Sequence, residues 1–135
     1  MPRCSDVLIR TLLDLGIGKI VGIPGAETLP VMDAILSSEM EFVCVREENA
    51  AAFMSLTESR LSGKPGVCLT TVGPGASNIL LGTGTAHLDR APLIILTGEF
   101  SQRIRSEPHR QSLAQNEIFK NVTKYSREIS DIGKV

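Results

Sequence analysis

Apolar residues along the chain fall into two alternating patterns: short continuous runs, and longer stretches in which apolar positions recur every three or four residues. Continuous runs bounded by glycine or proline are typical of strands that are buried on both faces of a sheet, whereas the longer spacing is typical of amphipathic helices. The runs predict strands over residues 19–23, 41–45, 66–71 and 92–97.

The stretches between these runs predict helices with recognisable ends. The first begins near Ser5, whose hydroxyl can cap it, and ends at Gly16, while a later one is closed by Gly63. Further helices are predicted over 29–37, over 48–61, and from the Gly73–Pro74–Gly75 turn through Leu88. Strands that alternate with helices predict an α/β fold: a three-layer parallel sheet with helices on both faces.

The pattern is less regular after residue 97. Residues 101–110 are polar and charged and are interpreted as a surface loop. Residues 111–121 are interpreted as a helix, and residues 123–129 (TKYSREI) as a fifth, edge-like strand. The chain, of 135 residues, is long enough for one domain with a core but not for two.

Composition narrows the function classes. Apolar residues make up 42%, charged residues 21%, and the net charge is −1, so a nucleic-acid-binding protein is not indicated. No apolar run approaches the roughly 20 residues of a membrane span. Cys44 and Cys68 lie within apolar runs and are predicted to be small core residues, with reducing, cytoplasmic surroundings as the default. No histidine or acidic cluster has metal-ligand spacing.

Glycines and polar residues concentrate where predicted strands lead into helices. In parallel sheets ligands bind beyond the carboxyl ends of strands, so this concentration is the main indication of a site. The Gly73–Pro74–Gly75 segment fits a phosphate-binding loop and a tight strand-to-helix turn equally well. Glu47 and Glu48 fit helix N-terminal acids, or one of them could point into a cleft. The four junctions are residues 23–27, 46–49, 71–78 and 97–99.

Taken together, several segments resemble the pyrimidine-binding (PYR) domain of thiamine-diphosphate enzymes, closest to the acetolactate synthase type. The segments follow the family's order at nearly its spacing and cover about residues 5–130, which is far more specific than any single motif. They are VGIPGAETLPVMDAI, VREENAAAFM, TTVGPGASN and QSLAQNEIFKNVTKYS.

The resemblance implies roles for individual residues. Glu48 falls on the family's glutamate and would activate the cofactor to its C2 ylid for attack on a 2-oxo acid, in a decarboxylase or carboligase. The Gly73–Pro74–Gly75 segment would line the pyrimidine pocket rather than bind phosphate. Gln111 aligns with a substrate-side glutamine. The implied cofactor-binding residues are Pro24, Gly25, Ala26, Glu48, Thr71, Pro74 and Asn78.

The resemblance also implies partners. Thiamine diphosphate would be shared with a diphosphate-binding domain of the same or another subunit, which holds Mg²⁺ through a GDG motif that this sequence lacks. The enzyme would be a homodimer or tetramer, and FAD is a possible further cofactor. The single PYR domain of residues 1–135 would lack the fold's last helix and strand, together with the central and diphosphate-binding domains, and would be inactive on its own.

Three alternatives stay open. Glu47, Phe53, Glu99 and Arg110 depart from residues common in acetolactate synthases, so another 2-oxo acid, or a sulfonated or aryl substrate, fits as well. From another class, the chain could be a non-catalytic α/β module that binds a small ligand through Gly73–Gly75. It could also be a fragment without independent function.

Overall fold

The computed structural model describes residues 2–100 and 111–129. Within these ranges a four-stranded sheet is covered by helices. The strands are β1 (Lys19–Gly22), β2 (Glu41–Cys44), β3 (Gly66–Thr70) and β4 (Leu93–Thr97). The helices are α1 (Cys4–Asp14), α2 (Leu29–Leu36), α3 (Glu48–Ser62), α4 (Pro74–Asn78), α5 (Leu80–Leu88) and α6 (Gln115–Phe119), with a 3₁₀ turn at Ala26–Thr28.

Every strand pairing in the sheet is parallel, and the strand order is β2-β1-β3-β4. The chain steps from β1 to its neighbour β2 on one side, then crosses back to β3 on the other side. Loops that follow β1 and β3 therefore leave adjacent strands in opposite directions. This reversal between β1 and β3 is the topological switch point, where open α/β sheets bind ligands.

Apolar residues pack into two cores, one on each face of the sheet. In β3, Val67 and Leu69 belong to the core beneath α1 and α2, whereas Cys68 belongs to the core beneath α3. Alternate strand residues point to opposite faces, so a continuous apolar run supplies both cores. The predicted three-layer α/β architecture is confirmed.

The predicted helix ends are mostly confirmed. Gly16 and Gly63 have positive φ angles of 76° and 71° and follow α1 and α3, as glycines after helices commonly do. The prediction that Ser5 caps α1 is wrong. Arg3 is the N-cap, its backbone N–H donates to the Asp6 carboxylate at 3.0 Å, and Ser5 lies inside the helix.

The helix predicted from Gly73 through Leu88 is two helices, α4 and α5, separated at Ile79. At the start of α5 the N–H of Gly82 donates to Asn49 Oδ1 at 2.9 Å. A side chain of α3 thus satisfies a backbone donor that a helix N-terminus leaves without an intrahelical partner. No local pattern reveals this, because Asn49 is 33 residues away.

Two predictions for the C-terminal region need correction. Residues 123–129 form no strand in the described ranges; Tyr125 is 70% exposed and Ile129 41%, so this segment buries no face that would hold it against a sheet. The helix predicted over residues 111–121 is limited to α6. The loop predicted over residues 101–110 lies outside the described residues.

Cysteine placement was predicted correctly at one of two positions. Cys68 is fully buried in central strand β3, and burial raises the pKa of its thiol to about 11. Cys44 is exposed because it ends the edge strand β2, so its prediction as a core residue is wrong. Among the described helices, none is long and apolar enough to cross a membrane.

Candidate functional site

The predicted site residues converge at the carboxyl edge of the sheet. Pro24, Gly25 and Ala26 follow β1, and Thr71, Pro74 and Asn78 follow β3, so they flank the switch point. Glu48 begins α3, which crosses from β2 to β3. The parallel topology therefore brings together loops that are far apart in sequence.

Glu47 and Glu48 are adjacent but have different surroundings. Glu47 is the N-cap of α3, where its carboxylate accepts hydrogen bonds from Asn49 N at 3.0 Å and Ala50 N at 2.9 Å. These bonds, that of Asn49 first, lower the pKa of Glu47. The helix-capping interpretation is thus confirmed for Glu47.

The Glu48 side chain instead reaches towards α4. Its Oε2 accepts a hydrogen bond from Asn78 Nδ2. Its Oε1 lies next to Gly75, since a methyl group there would come within 3.3 Å of that oxygen. The same methyl group would lie 2.4 Å from Thr71 Oγ1 and 2.6 Å from Thr70 Oγ1. A carboxylate, an amide and two hydroxyls therefore meet around a residue that must be glycine.

Thr70 was not singled out from the sequence. Its hydroxyl is buried and, among the described residues, has no hydrogen-bond partner. Buried hydroxyls are rarely left unsatisfied. Thr70 is the last residue of β3 and follows apolar residues, so the sequence alone does not mark it as a site residue. Its burial beside Gly75 is visible only in the structure.

Glu27 joins three strand ends. Its Oε1 accepts a hydrogen bond from Val72 N at 2.7 Å, in the loop after β3. Methyl groups at Gly25 and at Gly98 would come within 2.7 and 2.2 Å of the Glu27 side chain, so the loops after β1 and β4 also pack against it. Glu27 thus orders the edge on which Gly25 and Thr71 lie.

The Gly73–Pro74–Gly75 segment does not present a free row of backbone donors. Val72 N–H is bound by Glu27, Gly73 N–H donates to Gln115 Oε1 at 3.3 Å, and Pro74 has no N–H. A phosphate-binding loop needs consecutive free N–H groups. The arrangement therefore supports the tight-turn interpretation over the phosphate-loop interpretation.

Of two glutamines four residues apart, the structure buries the one that the sequence did not indicate. Gln111 is exposed, and its backbone oxygen packs against Gly73. Gln115 is buried and also donates through Nε2 to Gly98 O at 2.9 Å and Glu99 Oε2 at 2.8 Å. A recognisable signal was its helical spacing from Phe119, which is buried on the same face.

These groups offer a polar ligand both hydrogen-bond acceptors and donors. Glu48 Oε1 supplies an acceptor and the half-buried Thr71 hydroxyl a donor or acceptor, beside the exposed ring of Pro74, whereas the Thr70 hydroxyl lies buried behind them. A divalent ion has no comparable set here, since the described residues contain no group of three or more metal-ligating side chains.

The candidate site lies on an open edge rather than in a closed cavity. Pro24, Ala26, Pro74 and Asn78 are exposed. A groove of about 700 Å³ runs elsewhere, between the C-terminal part of α3 and strands β1 and β2, and none of its lining residues belongs to the candidate site. Ligand pockets normally bury most of their ligand, so this edge forms one wall of a site.

Comparisons with known proteins agree on one family. Residues 2–123 match the family described as thiamine pyrophosphate enzyme, N-terminal TPP binding domain. Acetolactate synthase of Bacillus subtilis (strain 168) is 38% identical over 133 residues, which are 98% of this chain and 23% of that protein.

Two further relatives show the same pattern of coverage. The catabolic acetolactate synthase of Raoultella terrigena is 36% identical over 93% of this chain and 22% of its own length. The acetolactate synthase isozyme 3 large subunit of Escherichia coli (strain K12) is 33% identical over 97% of this chain and 24% of its own. The chain thus spans about a quarter of the length of these relatives.

Proposed function

The chain belongs to the family of N-terminal thiamine-pyrophosphate-binding domains, and from this premise we propose that it is the pyrimidine-binding half of an acetolactate synthase-like 2-oxo acid decarboxylase or carboligase. The observation that carries the proposal is the meeting of Glu48 and Asn78 beside Gly75, at the switch point of the sheet. In this proposal residues 1–135 form a single PYR-type domain.

Glu48 is the acid–base residue of the proposal. Asn78 occupies Oε2 of its carboxylate and orients the group, while Oε1 stays beside Gly75, where it can exchange a proton with a ring nitrogen. A positioned general acid–base contributes roughly 10²–10⁴-fold to a rate. Bound thiamine diphosphate supplies the electron sink for loss of CO2 from a 2-oxo acid.

The remaining predicted residues shape the wall against which the cofactor's pyrimidine would lie. Gly25 and Gly75 let the backbone approach closely, Thr71 supplies a hydroxyl, and Pro24, Ala26 and Pro74 supply apolar surface. Gln111, on the surface beside Gly73, is proposed to face the substrate. Mg²⁺ and the diphosphate group would be held by another domain, and FAD by the remaining part of the enzyme.

Association with other domains is part of the proposal. Several large apolar side chains of α3 and α5 are exposed, including Leu61 at 85% and Leu88 at 82%. Exposed apolar surface of this kind marks association surfaces. We propose that a diphosphate-binding domain completes the site and that the enzyme is a cytoplasmic homodimer or tetramer.

The test is CO2 release from pyruvate by the chain supplied with a diphosphate-binding portion, thiamine diphosphate and Mg²⁺. Glu48→Gln should lower turnover at least about 100-fold, since it removes the proton-transferring carboxyl and keeps its shape. Glu47→Gln is the matched control: it keeps an oxygen acceptor for the first N–H groups of α3, so activity should be close to that of the unmodified protein.

Each other outcome has a definite meaning. Full activity of Glu48→Gln would refute the acid–base role. Cofactor binding without CO2 release from pyruvate would redirect the search to other 2-oxo acids. If the cofactor does not bind, a non-catalytic ligand-binding module or a fragment without independent function becomes the better account.

A further inference from the structure

The side chain of Gln115 connects α6 to the ends of two strands. It is buried, accepts a hydrogen bond from Gly73 N, and donates to Gly98 O and Glu99 Oε2. Gly73 follows β3, and Gly98 and Glu99 follow β4. One amide therefore satisfies a backbone donor of one loop and a backbone acceptor of the next.

The backbone of Gly73 has little freedom around this contact. Its φ is +62°, a conformation that favours glycine, and a methyl group on it would lie 2.0 Å from Gln111 O. The preceding N–H, of Val72, is bound by Glu27. Side chains from two distant elements thus hold consecutive N–H groups at the point where the chain turns into α4.

The Gly73 turn holds the first end of α4. Pro74 is the first residue of α4, and Asn78, the last, donates to Glu48. A helix of five residues is not stable alone, so the position of α4 depends on how its ends are held and on its packing against α3, α5 and α6. A displacement of Gly73 would therefore displace the Asn78 amide relative to the Glu48 carboxylate.

We propose that Gln115 is a positioning residue: by holding Gly73 it sets the start of α4, and so keeps Asn78 in contact with Glu48. This inference rests on the proposed function, in which Glu48 transfers a proton. The hydrogen bonds of Gln115 go to Gly73, Gly98 and Glu99 rather than to Glu48 or Asn78, so it would act through the loop.

Glutamine suits this position because its amide is donor and acceptor at once. Gln115→Met has similar length and leaves the Gly73 N–H and the Gly98 carbonyl without this partner. Gln115→Glu keeps an acceptor for Gly73 N–H but places a second carboxylate beside Glu99. Glu117→Gln, on the exposed side of the same helix, is the control.

The first measurement uses the 135-residue chain without ligand. Gly73 N–H should exchange with solvent about tenfold faster in Gln115→Met than in the unmodified chain, because a buried hydrogen bond is lost. The NMR signals of the Asn78 side-chain amide should shift in the same variant. Gln115→Glu should show a smaller change, and Glu117→Gln none. If Gln115→Met does not fold, Gln115→Glu takes its place: its Gly73 exchange rate and Asn78 signals should still differ from those of the unmodified chain, and those of Glu117→Gln should not.

The second measurement uses the chain with its diphosphate-binding portion. Gln115→Met should lower kcat about tenfold, because a small misplacement of a reacting group costs rate, and should leave the KM for the 2-oxo acid nearly unchanged. Unaltered Gly73 exchange, or altered exchange with an unmoved Asn78 signal, would overturn the proposal. A normal kcat despite both changes would overturn it too.

The two proposals fail in different ways. If the unmodified protein shows no thiamine-dependent turnover, or Glu48→Gln is fully active, the proposed function fails. The exchange and NMR results would still decide whether Gln115 positions Asn78. If Glu48→Gln is inactive and Gln115→Met behaves as the unmodified protein, only the positioning role fails.

Discussion

At the carboxyl edge of the sheet, side chains reach across elements to bind backbone N–H groups, whereas at the amino edge charged side chains meet on the surface. Glu27, Gln115 and Asn49 each hold an N–H of a distant loop or helix. The amino edge instead has the exposed pairs Lys19–Glu58 and Arg60–Asp89.

This difference has an energetic consequence. A buried N–H that loses its partner costs about 1–3 kcal/mol, whereas an exposed ion pair contributes roughly 0–1 kcal/mol because water competes for both charges. Substitutions at the carboxyl edge should therefore be more damaging, even where they do not touch the residues proposed to bind the cofactor.

The largest difference in stability should be between substitutions of two glycines: Gly22, the last residue of β1, and Gly18, which precedes β1. A methyl group at Gly22 would lie 1.9 Å from Leu69 O in the neighbouring strand, whereas nothing lies within 4 Å of one at Gly18. Gly22→Ala should lower the free energy of unfolding by about 3 kcal/mol, because the strands must separate.

Gly18→Ala should change it by less than about 1 kcal/mol. Urea unfolding of the two variants measures the difference. Equal effects would show that the close approach of β1 to β3 is not needed for stability.

The next effect compares two glutamates. Glu27→Ala leaves Val72 N–H buried without its acceptor and should cost about 1–3 kcal/mol. Glu58→Ala breaks only the exposed pair with Lys19 and should cost less than about 1 kcal/mol. Thermal unfolding in the same buffer compares the two variants. A larger loss of stability in Glu58→Ala would contradict the expectation that the carboxyl edge is the more sensitive one.

The third effect is in the pH dependence of stability. Hydrogen bonds from the backbone lower the pKa of Glu47 below its usual 4.5, so its contribution is complete above pH 4.5 and is lost as the pH falls through the folded value. The hydrogen bond with Glu58 raises the pKa of Lys19 above 10.5, so its contribution is complete below pH 10.5 and is lost as the pH rises.

Accordingly, Glu47→Gln should flatten the acid limb of a stability–pH curve, and Lys19→Met should flatten the alkaline limb. Urea midpoints from about pH 3 to 11 cover both ranges of titration. An unaltered acid limb in Glu47→Gln, or an unaltered alkaline limb in Lys19→Met, would contradict the assigned hydrogen bonds.

The smallest effect should be at Arg60 and Asp89, whose side chains are 54% and 40% exposed. A double-mutant cycle with Arg60→Ala and Asp89→Ala should give a coupling energy of about 0.2–1 kcal/mol that declines with added salt. The stability difference between the two edges of the sheet would be contradicted by a coupling energy larger than the loss of stability in Glu27→Ala. A coupling energy that salt does not weaken would contradict it too.

The sequence predicted the strands well because each is a short apolar run that supplies both cores. It also predicted Glu47 as a helix cap, since the bonds of an N-cap lie within three residues. Glu48 could be selected over Glu47 only by resemblance to a family, because both carboxylates have the same local signals. The difference between them arises from tertiary structure: Glu47 caps α3, whereas Glu48 accepts a hydrogen bond from Asn78 of α4.

Apart from the cap of α1, where the contact of Arg3 with Asp6 is local, the main predictions that failed involve partners distant in sequence. At the break between α4 and α5, Asn49 binds the N–H of Gly82, and the buried Gln115, unlike Gln111, binds the loops after β3 and β4. Residues 123–129 have enough β-forming residues to suggest a strand, but no strand of the described sheet pairs with them.

By itself, the sequence determined the layer architecture, the helix ends at Gly16 and Gly63, and the family, because apolar periodicity, left-handed glycine caps and motif order are local properties of the chain. Only the tertiary structure decided that Asn78 donates to Glu48, which backbone N–H groups are occupied, and which glutamine is buried. Those outcomes depend on strand order, which brings the loops after β1, β3 and β4 to one edge of the sheet. The buried polar groups of these loops must be hydrogen-bonded, and their partners are the side chains that the fold places at that edge.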